Sequence, residues 1–160
     1  MTLTEPATSL GLEVMVDVPQ SLAFTVFTEQ FDRIKPRGYN LLAVDIAETV
    51  FETHVGGHVY DRGVDGSVCR WARVLAFDPP ERFVISWDID ARWQPEPDPE
   101  RASEVEVRFV PLGSTTTRVE LYHRHLERHG DGWQDYRNSL GAQGGWPVFL
   151  ERFEALVARQ

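Results

Sequence analysis

Three of the five histidines of this 160-residue chain fall within the stretch LYHRHLERHG, residues 121–130. His123 and His125 are separated by one residue, and His129 follows farther along. Side chains at positions i and i+2 of a strand point to the same face, so two such imidazoles can bind one metal ion or act on one substrate. The spacing is therefore compatible with two functions, metal binding and acid–base catalysis.

A metal site needs a third ligand, and the sequence offers only Glu127 or His54 for it. Cupin-type sites place their carboxylate three or four residues after the histidine pair, which Glu127 does not match, and a histidine pair alone is weak support for a metal. We therefore predict no metal site. We interpret His123 as a polar group lining a pocket, His125 as lying nearer its mouth, and His129 as a loop residue.

The sequence does not match the motifs of nucleophilic catalysis or of nucleotide binding. Cys69 is the only cysteine, lies in the middle of a predicted strand and has no neighbour that would activate a thiolate, and no internal disulfide can form. The chain has no GxSxG elbow, and its glycine-containing turns do not match a phosphate-binding loop. We predict no catalytic residue and no cofactor.

The composition excludes several classes of partner. The formal net charge is −9, which repels the phosphates of nucleic acids and anionic lipid. No apolar run is long enough to span a membrane, and the first residues lack the pattern of a signal peptide, so we expect a cytoplasmic location. Arginine supplies 15 of the 16 basic residues, and Lys35 is the only lysine.

The hydrophobic pattern predicts an α+β fold in one domain, residues 1–160, with residues 1–9 as a loose tail. A strand from about residue 10 is followed by a short amphipathic helix and then by about six strands joined by short turns. The chain closes with a long apolar-faced helix that begins near Pro147. We expect a curved antiparallel sheet of six to seven strands wrapped around this helix.

A curved sheet that holds one helix leaves a space in which small apolar ligands bind. We predict that this pocket is lined by large rings, aliphatic side chains and one imidazole, namely His123, Tyr60, Trp87, Phe51, Val74, Ile85, Phe109, Leu121, Trp146, Phe149 and Phe153. Along residues 68–77 the alternation allows either Val68, Ala72, Val74 and Ala76 or Cys69, Trp71, Leu75 and Phe77 to point inward. We prefer the first set, because small residues would widen the pocket.

Four segments carry a resemblance to a known family. They are VGGHVYDRG (55–63), WARVLAFDPPERFVISW (71–87), TTRVELYHRHLERHGDGW (116–133) and GGWPVFLERF (144–153). Across about residues 10–158 the chain resembles the START-like (SRPBCC, helix-grip) superfamily, and within it the heat-shock-protein-90 ATPase activator homologue family. The resemblance implies the helix-grip fold. It implies no fixed catalytic residues, because the superfamily includes lipid carriers, hormone receptors, polyketide cyclases and aromatases, and co-chaperone domains.

Three functions follow as hypotheses. The first is non-catalytic binding of a hydrophobic or amphipathic small molecule, such as a lipid or an aromatic polyketide, between the sheet and the closing helix. The second is a co-chaperone-like interaction module, although the chain lacks the additional domain of full activators, which disfavours a chaperone partner. The third, ranked last, is a cyclase or aromatase-like enzyme using His123, Tyr60 or an arginine for acid–base chemistry. The sequence leaves the oligomeric state open, including a homodimer.

Overall fold

The computed structural model describes residues 2–160, and its central feature is an eight-stranded sheet. The strands are β1 (Thr2–Leu3), β2 (Leu10–Val16), β3 (Ile46–Phe51), β4 (His58–Gly63), β5 (Val68–Asp78), β6 (Arg82–Trp87), β7 (Ser103–Pro111) and β8 (Thr117–Arg124). Their order in the sheet is β1-β2-β8-β7-β6-β5-β4-β3, and every neighbouring pair is antiparallel. Strands β3 to β8 therefore form a six-stranded meander, as the sequence predicts.

Helices precede and follow this meander. Helices α1 (Gln20–Glu29) and α2 (Phe31–Ile34) connect β2 to β3, and helices α3 (Trp133–Gly141) and α4 (Trp146–Val157) follow β8. Short 3-10 helices occupy Pro99–Arg101 and Leu126–His129. The predicted α+β helix-grip architecture is confirmed, with a curved antiparallel sheet and a long C-terminal helix. Within residues 2–160, no helix has the length and apolar character needed to cross a membrane.

The one strand beyond the predicted number is β1. It pairs with β2, where Thr2 lies opposite Leu12 and Leu3 lies opposite Gly11. The sequence pattern predicts a loose tail over residues 1–9, and this prediction is wrong for Thr2 and Leu3. Two residues carry too little periodicity to signal a strand, so only the free edge of β2 decides the pairing.

An aromatic cluster fills one end of the space between sheet and helices. Phe27 of α1 lies 5.6 Å from Phe83, 5.8 Å from Phe109 and 5.0 Å from Phe153, measured between ring centroids. Phe83 and Phe109 belong to the sheet and Phe153 to α4, and all four are at most 2 % exposed. The cluster joins α1, α4 and the sheet into one core, so that end of the fold has no room for a ligand.

Strand β5 does not follow a single alternation. Its pairing shifts near Trp71, opposite residues 59 and 60, and again between Val74 and Ala76. As a result both Trp71 and Ala72 are buried, whereas Val68 is 42 % exposed. The preferred inward set is therefore wrong for Val68, and Trp71, which belongs to the alternative set, is buried. At each irregularity the side chains that follow it change from one face of the sheet to the other. A strict alternation therefore cannot predict which residues of β5 are buried.

A buried hydrogen-bonded chain connects the sheet to α4. Trp146 Nε1 donates to His123 Nδ1 at 3.0 Å, so the neutral His123 carries its proton on Nε2 and donates it to Ser103 Oγ at 2.7 Å. The Ser103 hydroxyl is then free to donate to His129 Nε2, also at 2.7 Å. Both imidazoles are at most 3 % exposed. This chain fixes the first residue of α4 against β7 and β8.

The structure separates the histidines that the sequence grouped. Strand β8 ends at Arg124, and His125 has a φ of 63° and a side chain that is 45 % exposed. His123 and His125 therefore do not share an inward face, and the loop residue of the prediction, His129, is buried. Among the residues that the structure describes, no group of three or more His, Cys, Asp or Glu side chains is placed to hold a metal ion.

Burial of the histidine chain predicts a loss of stability in mild acid. Burial lowers the pKa of His123 well below its ordinary value of 6.5 and also lowers that of His129, despite the nearby carboxylates of Glu96 and Asp90. The unfolded chain binds protons below about pH 6.5 that the folded chain does not bind. The free energy of unfolding should therefore fall as the pH decreases from 7.5 to 5.5, by up to about 1.4 kcal/mol per pH unit for each histidine.

Urea denaturation at the two pH values measures this fall. His125→Gln is the matched control and should show the wild-type dependence, because its side chain is exposed. His129→Asn should reduce the dependence, since one proton-linked group is removed. A free energy of unfolding that is the same at both pH values in the wild type would contradict the assignment of neutral, buried histidines.

Two adjacent glycines at the turn between α3 and α4 give a second prediction. A Cβ on Gly145 would lie 2.1 Å from the Leu140 carbonyl oxygen, whereas a Cβ on Gly144 would meet only the Tyr39 hydroxyl at 3.8 Å. Gly145→Ala must therefore displace the turn and should cost about 2 kcal/mol or more, while Gly144→Ala should change stability by less than about 0.5 kcal/mol. Thermal denaturation of both variants checks this, and equal losses would contradict it.

Candidate functional site

A cavity of about 510 Å³ opens at the end of the fold opposite the aromatic cluster. It is bounded by the loop after α2, by β4 to β6 and the segment that follows β6, and by α3, α4 and the turn between them. Its lining residues are Lys35, Gly38, Tyr39, Asn40, Leu41, Asp61, Trp71, Trp87, Ile89, Trp93, Gln94, Ser139, Leu140, Gly144, Gly145, Trp146 and Phe149. The volume lies within the range of about 300–1,000 Å³ that is usual for small-molecule sites.

Four aromatic side chains form one continuous wall of this cavity. Ring centroids are 5.5 Å apart for Trp71 and Trp87, 5.2 Å for Trp87 and Trp146, and 4.9 Å for Trp146 and Phe149. Each of the four side chains is at most 5 % exposed and packs against its neighbours. The wall is therefore a closely packed aromatic surface, of which only small parts are accessible.

Hydrogen bonds fix two of the three indole rings. Trp87 Nε1 donates to the Tyr136 hydroxyl at 2.6 Å, and this hydroxyl donates to the Ile89 carbonyl at 2.7 Å. Trp146 is held by His123, as described above. Trp71 differs, because its Nε1 is buried without a hydrogen-bond partner among the described residues. A buried donor without an acceptor is costly, so the packing around the Trp71 ring must offset this loss.

The cavity also contains a buried ion pair. Lys35 Nζ lies 2.9 Å from Asp61 Oδ2, and the two side chains are 6 % and 1 % exposed. The lysine also donates to the Tyr39 carbonyl at 2.5 Å, and the second aspartate oxygen accepts from the Thr49 hydroxyl at 2.7 Å. The ammonium lies 5.8 Å from the centroid of the Trp71 ring. A charged, hydrogen-bonding group is thereby placed beside the aromatic wall.

Local sequence explains this placement. Lys35 is the first residue after α2 and precedes Pro36, so the chain turns there and the lysine stem enters the interior. Asp61 occupies the inward face of β4, together with Val59 and Gly63. Burial lowers the pKa of Lys35, and the charge of Asp61 opposes this effect. The amine therefore gives up a proton more readily than an exposed lysine.

The mouth of the cavity is formed by more exposed residues. Trp93, with a φ of 61°, is 45 % exposed and packs edge-on against Tyr136 at 4.8 Å. Tyr39 donates its hydroxyl proton to the Gly144 carbonyl, which joins the loop after α2 to the turn between α3 and α4. Ser139 on α3 is exposed at the rim. A ligand would enter between these elements.

The structure brings three of the predicted pocket residues to the cavity, namely Trp87, Trp146 and Phe149. The other eight do not line it. Seven of them are buried elsewhere: His123 is hydrogen-bonded to Trp146, and six belong to the hydrophobic core, namely Phe51, Val74, Ile85, Phe109, Leu121 and Phe153. Tyr60 alternates with the buried Val59 and Asp61 and is half-buried on the outer side of β4, beside Arg70 at 5.9 Å.

The sequence pattern does not predict Lys35, Asp61 or the loop residues at the mouth as part of the site. Asp61 carried a signal, since it stands at an inward position of a strand between Val59 and Gly63. A carboxylate on the buried face of a strand requires a partner, and the chain has a single lysine to supply a compact cation. Nothing in the local sequence indicates that Lys35 is that partner, because the two residues come from elements far apart in the chain.

Several solved structures are similar to this chain over nearly its full length. The anthrahydroquino-γ-pyrone synthase Txn09, in complex with a compound designated SUM, is 39 % identical over 95 % of this chain and 99 % of its own, with a TM-score of 0.64. CalC, a self-sacrificing resistance protein from Micromonospora echinospora, is 25 % identical over 96 % and 97 % of the two chains, with a TM-score of 0.67.

NE0264 from Nitrosomonas europaea shares the fold at 17 % identity, with a TM-score of 0.68 and 99 % of both chains covered. A search of curated proteins found no match. A family model described as Activator of Hsp90 ATPase homolog 1-like protein matches residues 17–158, which is most of the chain. The chain therefore belongs to the Activator of Hsp90 ATPase homolog 1-like family.

Proposed function

We propose that the protein binds a flat, oxygen-substituted polycyclic aromatic molecule of the anthrahydroquinone class and closes an oxygen-containing ring on it. The observation that carries the proposal is the cavity itself, in which four aromatic side chains and the Lys35–Asp61 ion pair line the same space. The proposed activity is that of a cyclase acting on an aromatic polyketide.

The shape and chemistry of the wall support the choice of ligand. Large rings held by packing and by the hydrogen bonds of Trp87 and Trp146 lose little conformational entropy when a ligand binds. Fused aromatic rings gain offset-stacked and edge contacts from such a wall, beyond the burial of apolar area. The lysine adds a donor for the oxygen substituents of the ligand, which an alkyl chain could not use.

The choice of reaction rests on the relative with 39 % identity. Its name describes the formation of a γ-pyrone on an anthrahydroquinone, and the alignment covers almost all of both chains. Closing a γ-pyrone from a phenol and a neighbouring 1,3-diketone requires proton transfer and the loss of water. A buried amine of lowered pKa inside the cavity is a group suited to such transfers.

Binding can be tested with 1,8-dihydroxyanthraquinone as the probe. Four tryptophans line the cavity, so the probe should quench the native tryptophan fluorescence on saturable binding. Ser139→Phe should lower the affinity at least tenfold, because the new ring would occupy the cavity rim. The matched control is Asn138→Phe, which adds the same ring to the neighbouring exposed position outside the lining.

Fluorescence titration and calorimetry give the affinity of each variant. The proposal expects wild-type affinity for Asn138→Phe and a loss for Ser139→Phe only. Equal affinity in both variants would place the probe elsewhere on the protein. Absence of saturable binding by the wild type would reject the proposed ligand class.

A further inference from the structure

We infer that Lys35 is the catalytic acid–base group of the proposed cyclisation and that Asp61 positions it. This inference rests on the proposed function. It assigns the proton transfers of ring closure to the only lysine of the chain, which lines the cavity beside Trp71.

The hydrogen-bond count of Lys35 leaves one position for a ligand. An ammonium group has three N–H donors, and the structure uses one for Asp61 Oδ2 and one for the Tyr39 carbonyl. The third has no acceptor among residues 2–160. Trp71 Nε1, in the ring that borders the ammonium, is also buried without an acceptor. The free N–H of Lys35, in a side chain that lines the cavity, favours a ligand that presents an oxygen atom there.

The surroundings keep Lys35 able to exchange protons. Burial lowers its pKa, which makes the ammonium a stronger acid, while Asp61 prevents complete loss of the charge. Asp61 is itself held by the Thr49 hydroxyl and is almost fully buried, so it cannot rotate toward solvent. We therefore treat Asp61 as a positioning residue, and only Lys35 as a group that contacts the reacting atoms.

The reaction balances with Lys35 as the single proton carrier. As the phenol oxygen bonds to the distal ketone carbon, the ammonium gives a proton to the ketone oxygen and the amine takes the phenol proton, which forms a cyclic hemiketal. The ammonium then protonates the hemiketal hydroxyl, which leaves as water. The amine removes a proton from the carbon between the two carbonyl carbons, the ring double bond forms, and the ammonium is restored. The overall reaction releases one water molecule and requires no oxidant and no cofactor.

The single lysine allows a direct measurement in the intact protein. Lysine labelled with ¹³C at the ε carbon gives one resonance for the whole chain, and its pH titration reports the state of Lys35. Saturating 1,8-dihydroxyanthraquinone should shift this resonance, because a ligand oxygen accepts from Nζ. A bound probe that leaves the resonance unmoved would overturn the contact.

Turnover is measured with 1-(1-hydroxynaphthalen-2-yl)butane-1,3-dione, which closes to 2-methylbenzo[h]chromen-4-one with loss of one water. The variant Lys35→Met, Asp61→Asn removes both charges together, so that no buried charge is left unpaired. We expect kcat at saturating substrate to fall at least a hundredfold, while the probe still binds saturably with an affinity lowered about tenfold by loss of the hydrogen bond from Nζ. Arg159→Met is the control, since it removes an exposed cation that lies outside the cavity lining and does not act on Lys35, and it should leave kcat unchanged.

The pH dependence of kcat in the wild-type protein provides a further test. It requires no variant, so a folding defect cannot affect it. If the ammonium is the acid, kcat falls as the pH rises through the titration midpoint of the labelled lysine. A decline in kcat more than one pH unit from that midpoint would overturn the assignment, as would a double variant with kcat within threefold of the wild type. Wild-type protein that neither binds the anthraquinone nor accelerates the closure would instead reject the proposed function.

Discussion

The packing of Phe27 against the sheet and α4 is the contact on which the arrangement of this molecule depends. Its ring lies within about 6 Å of rings from β6, β7 and α4. Because interiors pack densely, this cluster closes one end of the space between sheet and helix. The remaining space lies at the other end, where the loop after α2, the segment after β6 and the α3–α4 turn meet. The cavity is thus a consequence of where α1 packs.

The same packing decides which polar groups are buried. The histidine chain through Ser103 lies behind the aromatic wall and holds Trp146, so it acts on the cavity through that indole. Lys35 and Asp61 line the cavity beside this wall, where desolvation of the lysine and its attraction to Asp61 have opposite effects on its pKa. A buried ion pair is weak support for stability, since desolvation offsets much of its attraction. Its position in the lining of the aromatic cavity is the basis of the proposed chemistry.

Much of the fold was predictable because it depends on periodicity. The alternation along β6, β7 and β8 and the apolar face of α4 each specify one element and its buried side. The breaks in that periodicity were not predictable. The irregular pairing of β5 buries both Trp71 and Ala72, and β1 is too short to carry a pattern. The end of β8 at Arg124 likewise turns His125 away from His123.

For the candidate site, the sequence by itself determined the family resemblance, the abundance of tryptophan and the existence of a sheet–helix interface able to hold a ligand. Tertiary structure alone decided where the space lies and which groups meet in it. Lys35 follows α2 and Asp61 lies in β4, 26 positions apart, and only the packing of α2 on the sheet brings Nζ within 2.9 Å of Oδ2. The local pattern of apolar residues predicts which face of a helix or strand is buried. It does not predict which side chain from a distant part of the chain packs against that face.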